Sequence, residues 1–100
     1  MLRDKTDNEI LRELGARLRA YRLQRNLPVE VIADRTGLSR NTVMNAESGK
    51  NPRLDTVVRI LRVLGRLEAL DAFLPATTIS PLELISRGPR PRRRASKPRG

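Results

Sequence analysis

The segment Val29–Ser48, VEVIADRTGLSRNTVMNAES, decides the fold of this chain. Its first half has the apolar spacing of a short helix, and Gly37 can adopt the positive φ that ends one. Ser39 is a suitable N-cap for a second helix that reaches about Glu47. The segment therefore predicts two short helices joined by a tight turn.

Five positions in this segment suit a close crossing of the two helices. Ala33 is small where the first helix backs against the second, Gly37 serves the turn, and Leu38, Val43 and Ala46 fill the wedge between them. This combination predicts a helix-turn-helix motif. The polar residues of the second helix then face outward, where they can reach base edges and phosphates in a major groove.

Helical patterns also flank this motif. A capping box at Thr6–Glu9 begins a first helix that runs to about Arg25. A fourth helix, with a stripe of Leu54, Val57, Leu61 and Leu64, and a fifth over about 67–73 follow the motif. Leu67, Leu70, Phe73 and Leu74 are expected to close the core. The prediction is an all-α, five-helix domain over residues 7–74, preceded by a flexible N-terminus at 1–6.

The C-terminal quarter of the chain has a different composition. Residues 75–87 form a predicted extension, with a short strand at 76–79 and a short helix after Pro81. Residues 88–100, GPRPRRRASKPRG, have too few apolar residues to fold alone and are predicted to be disordered. Residues 87–100 carry +7 of the net charge of +10. This basic tail is a solubilising segment, an extra contact to the DNA backbone or a docking segment for a partner.

The composition excludes several classes of protein. The chain has no Cys and no His, so the commonest metal ligands are missing, and neither a metal nor a cofactor is expected. No apolar run approaches the roughly 20 residues of a membrane span. No paired carboxylates and no Gly-rich phosphate loop support an enzyme. We expect a cytoplasmic, nucleoid-associated protein without catalytic activity.

Two stretches carry a family resemblance. LGARLRAYRLQRNL (14–27) and IADRTGLSRNTVMNAESGKNPRLDTVVRILRVLG (32–65) resemble the Cro/phage-repressor (Xre) family of DNA-binding proteins. The resemblance implies a lambda-repressor-like five-helix fold, a homodimer and a palindromic double-stranded DNA operator.

The resemblance also implies roles for individual residues. Base reading falls on Arg40, Asn41, Met44 and Asn45. Phosphate contact falls on Ser39, Thr42, Lys50, Asn51 and Arg53. Support of the recognition helix falls on an Arg22–Glu47 ion pair and on Ala33, Gly37 and Val43. The simpler alternatives are a solvated helix face, ordinary loop charges and, for Met44, either a thymine methyl contact or the filling of a gap.

Two positions depart from the family pattern. Val29 stands where the second helix commonly begins with a Gln that bonds to DNA, and Arg53 stands where a Ser or Thr commonly caps the fourth helix. Val29 puts part of the usual half-site contact in doubt. Arg53 instead offers a cation to a phosphate.

A second resemblance covers the end of the chain. ISPLELISRGPRPRRRAS (79–96) is similar to the C-terminal extension of small repressor-antitoxins encoded beside HipA-type Ser/Thr kinase toxins. It implies a protein that represses its own operon and restrains a kinase toxin.

The chain has more apolar residues than five short helices can hide. The candidate dimer interface consists of Leu70, Phe73, Leu74, Ile79 and Leu82. Packing of the extension within one molecule is the alternative.

The sequence thus predicts a homodimeric, autoregulatory repressor that binds double-stranded DNA. One alternative is a protein-interaction module of the same fold, which Val29 favours. RNA binding through the tail is a third possibility, although the tail lacks interleaved aromatic residues.

Overall fold

The computed structural model describes residues 1–77 and 82, and within them the secondary structure is helical, without strands. A 3-10 turn at Leu2–Asp4 precedes five α-helices: α1 (Asp7–Gln24), α2 (Val29–Thr36), α3 (Arg40–Glu47), α4 (Leu54–Val63) and α5 (Glu68–Phe73). The predicted all-α, five-helix fold is confirmed. The N-terminal turn was not predicted.

Several predictions for the C-terminal region lie outside the described residues. Residues 78–81 and 83–100 include Ile79, most of the predicted extension and the whole of the basic tail. Residues 76 and 77, the described half of the predicted strand, have no regular secondary structure.

Helix α1 begins at the predicted capping box. The Glu9 N–H donates to the Thr6 hydroxyl at 3.2 Å, and the Thr6 N–H donates to Glu9 Oε1 at 2.8 Å. The bond from the Thr6 N–H, followed by the Thr6 hydroxyl, holds the pKa of Glu9 below its ordinary value. The start of α1 is therefore set by local sequence alone.

The turn between α2 and α3 has the predicted geometry. Gly37 has φ 75°, and its N–H and the N–H of Leu38 donate to the Ala33 carbonyl at 3.0 and 3.2 Å. The Thr36 hydroxyl donates to the Ile32 carbonyl at 2.7 Å and accepts from the Leu38 N–H at 3.2 Å. These bonds leave the backbone of the turn well satisfied, so the angle between the two helices is closely defined.

The chain divides into two compact units, Met1–Leu70 and Asp71–Gly100. The core of the first unit consists of Leu18, Ile32, Val43, Ala46, Ile60, Leu61 and Leu64. Ala33, Leu38 and Val57 pack against this core and are partly buried. The predicted wedge of the helix-turn-helix motif is therefore present.

The predicted apolar stripe of α4 is wrong at its first turn. Leu54 is 65% exposed, whereas Thr56 is 4% exposed. At 3.6 residues per turn, Leu54 lies about 120° around the helix from Ile60 and Thr56 only about 40°. The buried face is therefore centred on Thr56, Ile60 and Leu64.

The prediction that Phe73 and Leu74 close the core is also wrong. Leu67 and Leu70, by contrast, pack against the core and are partly buried. In the second unit, Phe73 and Leu74 are 57% and 69% exposed, and Leu82 is exposed as well.

Candidate nucleic-acid interface

Helix α3 begins with a hydroxyl cap. The Ser39 hydroxyl accepts from the Thr42 N–H at 3.0 Å, and the hydroxyls of Ser39 and Thr42 lie 2.8 Å apart. The predicted N-cap is confirmed. Both hydroxyls thus bond to each other at the helix start, and their contact with DNA phosphates stays a prediction.

The two sides of α3 differ sharply in exposure. Val43 and Ala46 are 0% and 1% exposed and belong to the core. The side chains predicted to read bases are all exposed: Arg40, Asn41, Met44 and Asn45. Helix α3 therefore presents a polar face away from the core, as a recognition helix requires.

A buried ion pair joins α1 to the end of α3. Arg22 donates from Nε to Glu47 Oε2 at 2.7 Å and from Nη2 to Oε1 at 3.0 Å, and its Nη1 donates to the Leu27 carbonyl at 2.9 Å. The two side chains are 9% and 8% exposed. Hydrogen bonding to Glu47 raises the pKa of Arg22 above its ordinary value, against the opposing effect of burial. The predicted pair is present and fully bidentate.

Two glycines allow α1 to approach the end of α3 backbone against backbone. A Cβ on Gly15 would lie 2.6 Å from the carbonyl oxygens of both Ala46 and Glu47. A Cβ on Gly49, which has φ +74°, would lie 2.6 Å from backbone atoms of Leu11. Neither site has room for a side chain. We call this contact, together with the Arg22–Glu47 pair, the α1 seat.

The loop after α3 holds cationic side chains beside the recognition face. The Lys50 N–H donates to the Asn45 carbonyl at 2.9 Å, which fixes the start of the loop. Lys50, Asn51 and Arg53 are exposed. The Arg53 Nε donates to Asp55 Oδ1 at 3.2 Å, so its guanidinium is already paired in the free protein.

A crevice of about 140 Å³ opens between this loop, α3 and the start of α4. Thr42, Asn45, Lys50, Arg53 and Thr56 are among the residues that line it. The Thr56 hydroxyl makes no hydrogen bond within the described part of the chain, although the residue is buried. Helix α4 also begins without a side-chain cap. We call this space the loop crevice.

Thr56 is a polar residue of this site that the sequence analysis missed. Thr56 lies next to the predicted apolar stripe of α4, and threonine is common at the edge of such stripes. The available signal was a hydroxyl two residues after a helix start that follows two cations, Lys50 and Arg53.

A second, larger crevice of about 280 Å³ lies beside Val29. Val29 and Met44 line it together with Arg19 and Ser48. Met44 is 42% exposed, so it both borders this crevice and remains accessible from outside.

Glu30 is a second residue that the sequence analysis missed. Its Oε2 lies 3.0 Å from the Nε of Arg40, and both side chains are 63% exposed. The pair links the first turn of α2 to the first residue of α3.

The family comparison agrees with this geometry. A model of the helix-turn-helix domain family matches residues 13–74, and the chain belongs to that family. It is therefore a DNA-binding regulator of the helix-turn-helix class, whose domains are typically not enzymes. Among curated proteins, no sequence matches this chain.

Two features are absent from the described part of the chain. None of the helices within residues 1–77 is both long and apolar enough to cross a membrane. No cluster of three or more His, Cys, Asp or Glu side chains could hold a metal ion in this part of the chain.

Proposed function

We propose that the protein is a sequence-specific repressor that binds a palindromic double-stranded DNA operator as a homodimer and regulates its own promoter. The observation that carries this proposal is the exposed polar face of α3, which the α1 seat holds in one orientation. A rigid recognition helix loses little conformational entropy when it enters a groove.

The base-reading residues have the donors and acceptors that this role needs. Arg40 would donate to guanine O6 and N7, and Asn41 and Asn45 would pair with adenine N6 and N7. Met44 would contact a thymine methyl. In a dimer, two α3 helices would enter successive major grooves about 34 Å apart.

The loop crevice would receive the DNA backbone. Lys50, Asn51 and Arg53 supply cationic or amide donors, and the uncapped start of α4 supplies backbone N–H groups. The Thr56 hydroxyl would donate to the same phosphate. Ser39 and Thr42, at the start of α3, would flank a neighbouring phosphate.

Arg40 and Lys50 are expected to give different losses when each is replaced by Ala. Arg40→Ala should cost about 1–3 kcal/mol on the operator and relax sequence preference, whereas Lys50→Ala should weaken all sequences alike and reduce the salt slope by about 1. Fluorescence anisotropy with the protein's own promoter fragment and a random duplex, at several salt concentrations, measures both effects. Equal losses on operator and random DNA for Arg40→Ala would contradict the base-reading role.

Thr56→Val is expected to separate stability from binding. The free energy of unfolding should stay the same or rise by up to about 1 kcal/mol, because an unpaired buried hydroxyl is removed, while affinity for duplex DNA should fall about 10-fold through the lost phosphate bond. Urea unfolding and anisotropy measure the two quantities. The matched control is Thr36→Val, whose hydroxyl bonds within the fold: it should lower stability and leave DNA affinity unchanged. Unaltered affinity in Thr56→Val would remove Thr56 from the interface.

We further propose that the protein is an antitoxin that binds a HipA-type kinase toxin, supported by the resemblance of residues 79–96. The second candidate function, a protein-interaction module in which DNA binding is secondary, is favoured by Val29 and the crevice beside it. In both cases the protein would act in the cytoplasm at the nucleoid, without a cofactor.

Deleting residues 87–100 is expected to leave operator affinity unchanged, because the proposed base and phosphate contacts all lie before residue 60. Anisotropy on the operator, with capture of a HipA-type kinase and of RNA as parallel assays, tests this. Loss of kinase capture alone would support the interaction module, and loss of RNA binding would support an RNA-binding tail.

A further inference from the structure

We propose that Glu30 is a positioning residue that increases the preference of Arg40 for guanine and lowers the protein's affinity for other DNA. This proposal rests on the proposed function, since it assigns the partner of a base-reading residue. Its starting point is the 3.0 Å ion pair between Glu30 Oε2 and Arg40 Nε.

The pair contributes little to the stability of the fold. Both side chains are 63% exposed, and ion pairs this open to solvent are weak. The angle between α2 and α3 is already set by Gly37 and by the buried Ile32 and Val43. What the pair does provide is a carboxylate close to Nε of the Arg40 guanidinium.

The contact leaves the reading edge of Arg40 available. Glu30 approaches Nε, and within the described residues Nη1 and Nη2 of Arg40 make no hydrogen bond. Those two nitrogens can donate together to O6 and N7 of one guanine. In the buried Arg22–Glu47 pair, by contrast, Nε, Nη1 and Nη2 are all engaged within the protein. Arg22 is therefore fixed in the fold, whereas Arg40 has only the charge–charge contact of Nε with Glu30, which is not a directed hydrogen bond.

The carboxylate acts on discrimination in two ways. It restricts the rotamers of Arg40 before DNA arrives, so less side-chain entropy is lost when the guanine contact forms. Its negative charge also repels the phosphates of the DNA backbone in every complex. Complexes in which Arg40 gains no base contact are therefore weakened. A correct guanine offsets that repulsion, and another base does not.

The test compares guanine with 7-deazaguanine, which lacks only the N7 acceptor. In a scan of the promoter fragment, each guanine is replaced in turn by 7-deazaguanine. The guanine that Arg40 contacts is the one whose replacement lowers the affinity of wild type but not that of Arg40→Ala. At that position we expect wild type to lose about 10-fold in affinity with 7-deazaguanine, and Glu30→Gln to lose only about 2-fold. Glu30→Gln should also bind random duplex a few-fold more tightly than wild type.

The matched control is Glu13→Gln, which removes the same charge from the exposed Glu13–Arg17 pair of α1. It should leave the 7-deazaguanine loss at the wild-type value. A readout without DNA accompanies it: the ¹⁵N resonance of Arg40 Nε should shift in Glu30→Gln and not in Glu13→Gln.

The remaining outcomes overturn the proposal. If Glu30→Gln keeps the full guanine preference and merely binds all DNA more tightly, Glu30 only repels phosphate. If operator affinity and guanine preference rise together, Glu30 withholds Arg40 from DNA instead of aiming it. If wild type shows no sequence preference on any duplex, the proposed function itself fails, and the positioning role fails with it.

Discussion

Glu47→Ala is expected to lower the free energy of unfolding by about 3 kcal/mol, because it leaves the buried guanidinium of Arg22 without its partner. Such a loss is a large share of the total for a small domain. Two of the three hydrogen bonds that hold Arg22 would disappear with the carboxylate, and only the bond to the Leu27 carbonyl would remain. Urea unfolding followed by the helical circular dichroism signal measures this change.

The exposed Glu13–Arg17 pair provides the control. Its side chains are 41% and 51% exposed, and Glu13→Ala should cost less than about 1 kcal/mol. Equal losses for the two variants would mean that burial of the Arg22–Glu47 pair has no energetic consequence. Because folding raises the pKa of Arg22, the stability that the ion pair contributes is fully present below the ordinary pKa of arginine, falls as the pH rises from there, and is gone above the raised pKa.

Gly15→Ala is expected to destabilise the protein by about 3 kcal/mol, at the upper end of overpacking effects, because the added Cβ meets backbone oxygens that cannot move aside. The two carbonyls, of Ala46 and Glu47, lie 2.6 Å from the position of that Cβ. At an ordinary helix position the same change would stabilise by about 1 kcal/mol. The sign of the effect therefore distinguishes the α1 seat from a plain helix surface.

The exposed neighbour Ala16 supplies the reference for helix propensity. Ala16→Gly should cost about 1 kcal/mol, which calibrates the propensity of this part of α1. Thermal and urea unfolding of both variants give the comparison. A Gly15→Ala protein more stable than wild type would show that α1 and α3 are farther apart than the structure places them.

Sequence reasoning located the parts of the fold that local chemistry fixes. The turn at Gly37, the cap at Ser39 and the buried pair Val43 and Ala46 depend on residues close together in the chain, and all are confirmed. The Arg22–Glu47 contact came from the family resemblance and is present as predicted. Its 25-residue separation gives no local signal.

The features that the sequence did not predict depend on which parts of the fold face each other. Gly15 lies inside a helical pattern, and nothing in the sequence says which backbone it faces. Leu54 is exposed and Thr56 is buried, because the spacing of leucines does not say which side of α4 the other helices cover. Glu30 meets Arg40 through two long side chains whose rotamers the sequence does not specify. The DNA contacts of Arg40 and Thr56 remain predictions.

The α1 seat holds α3 through main-chain atoms and through Glu47, none of which belongs to the outward face. Asn41, Met44 and Asn45 can therefore be substituted without weakening the α1 seat. We expect descendants of this chain to acquire new target promoters through substitutions at these three positions alone. We expect all of them to retain Gly15.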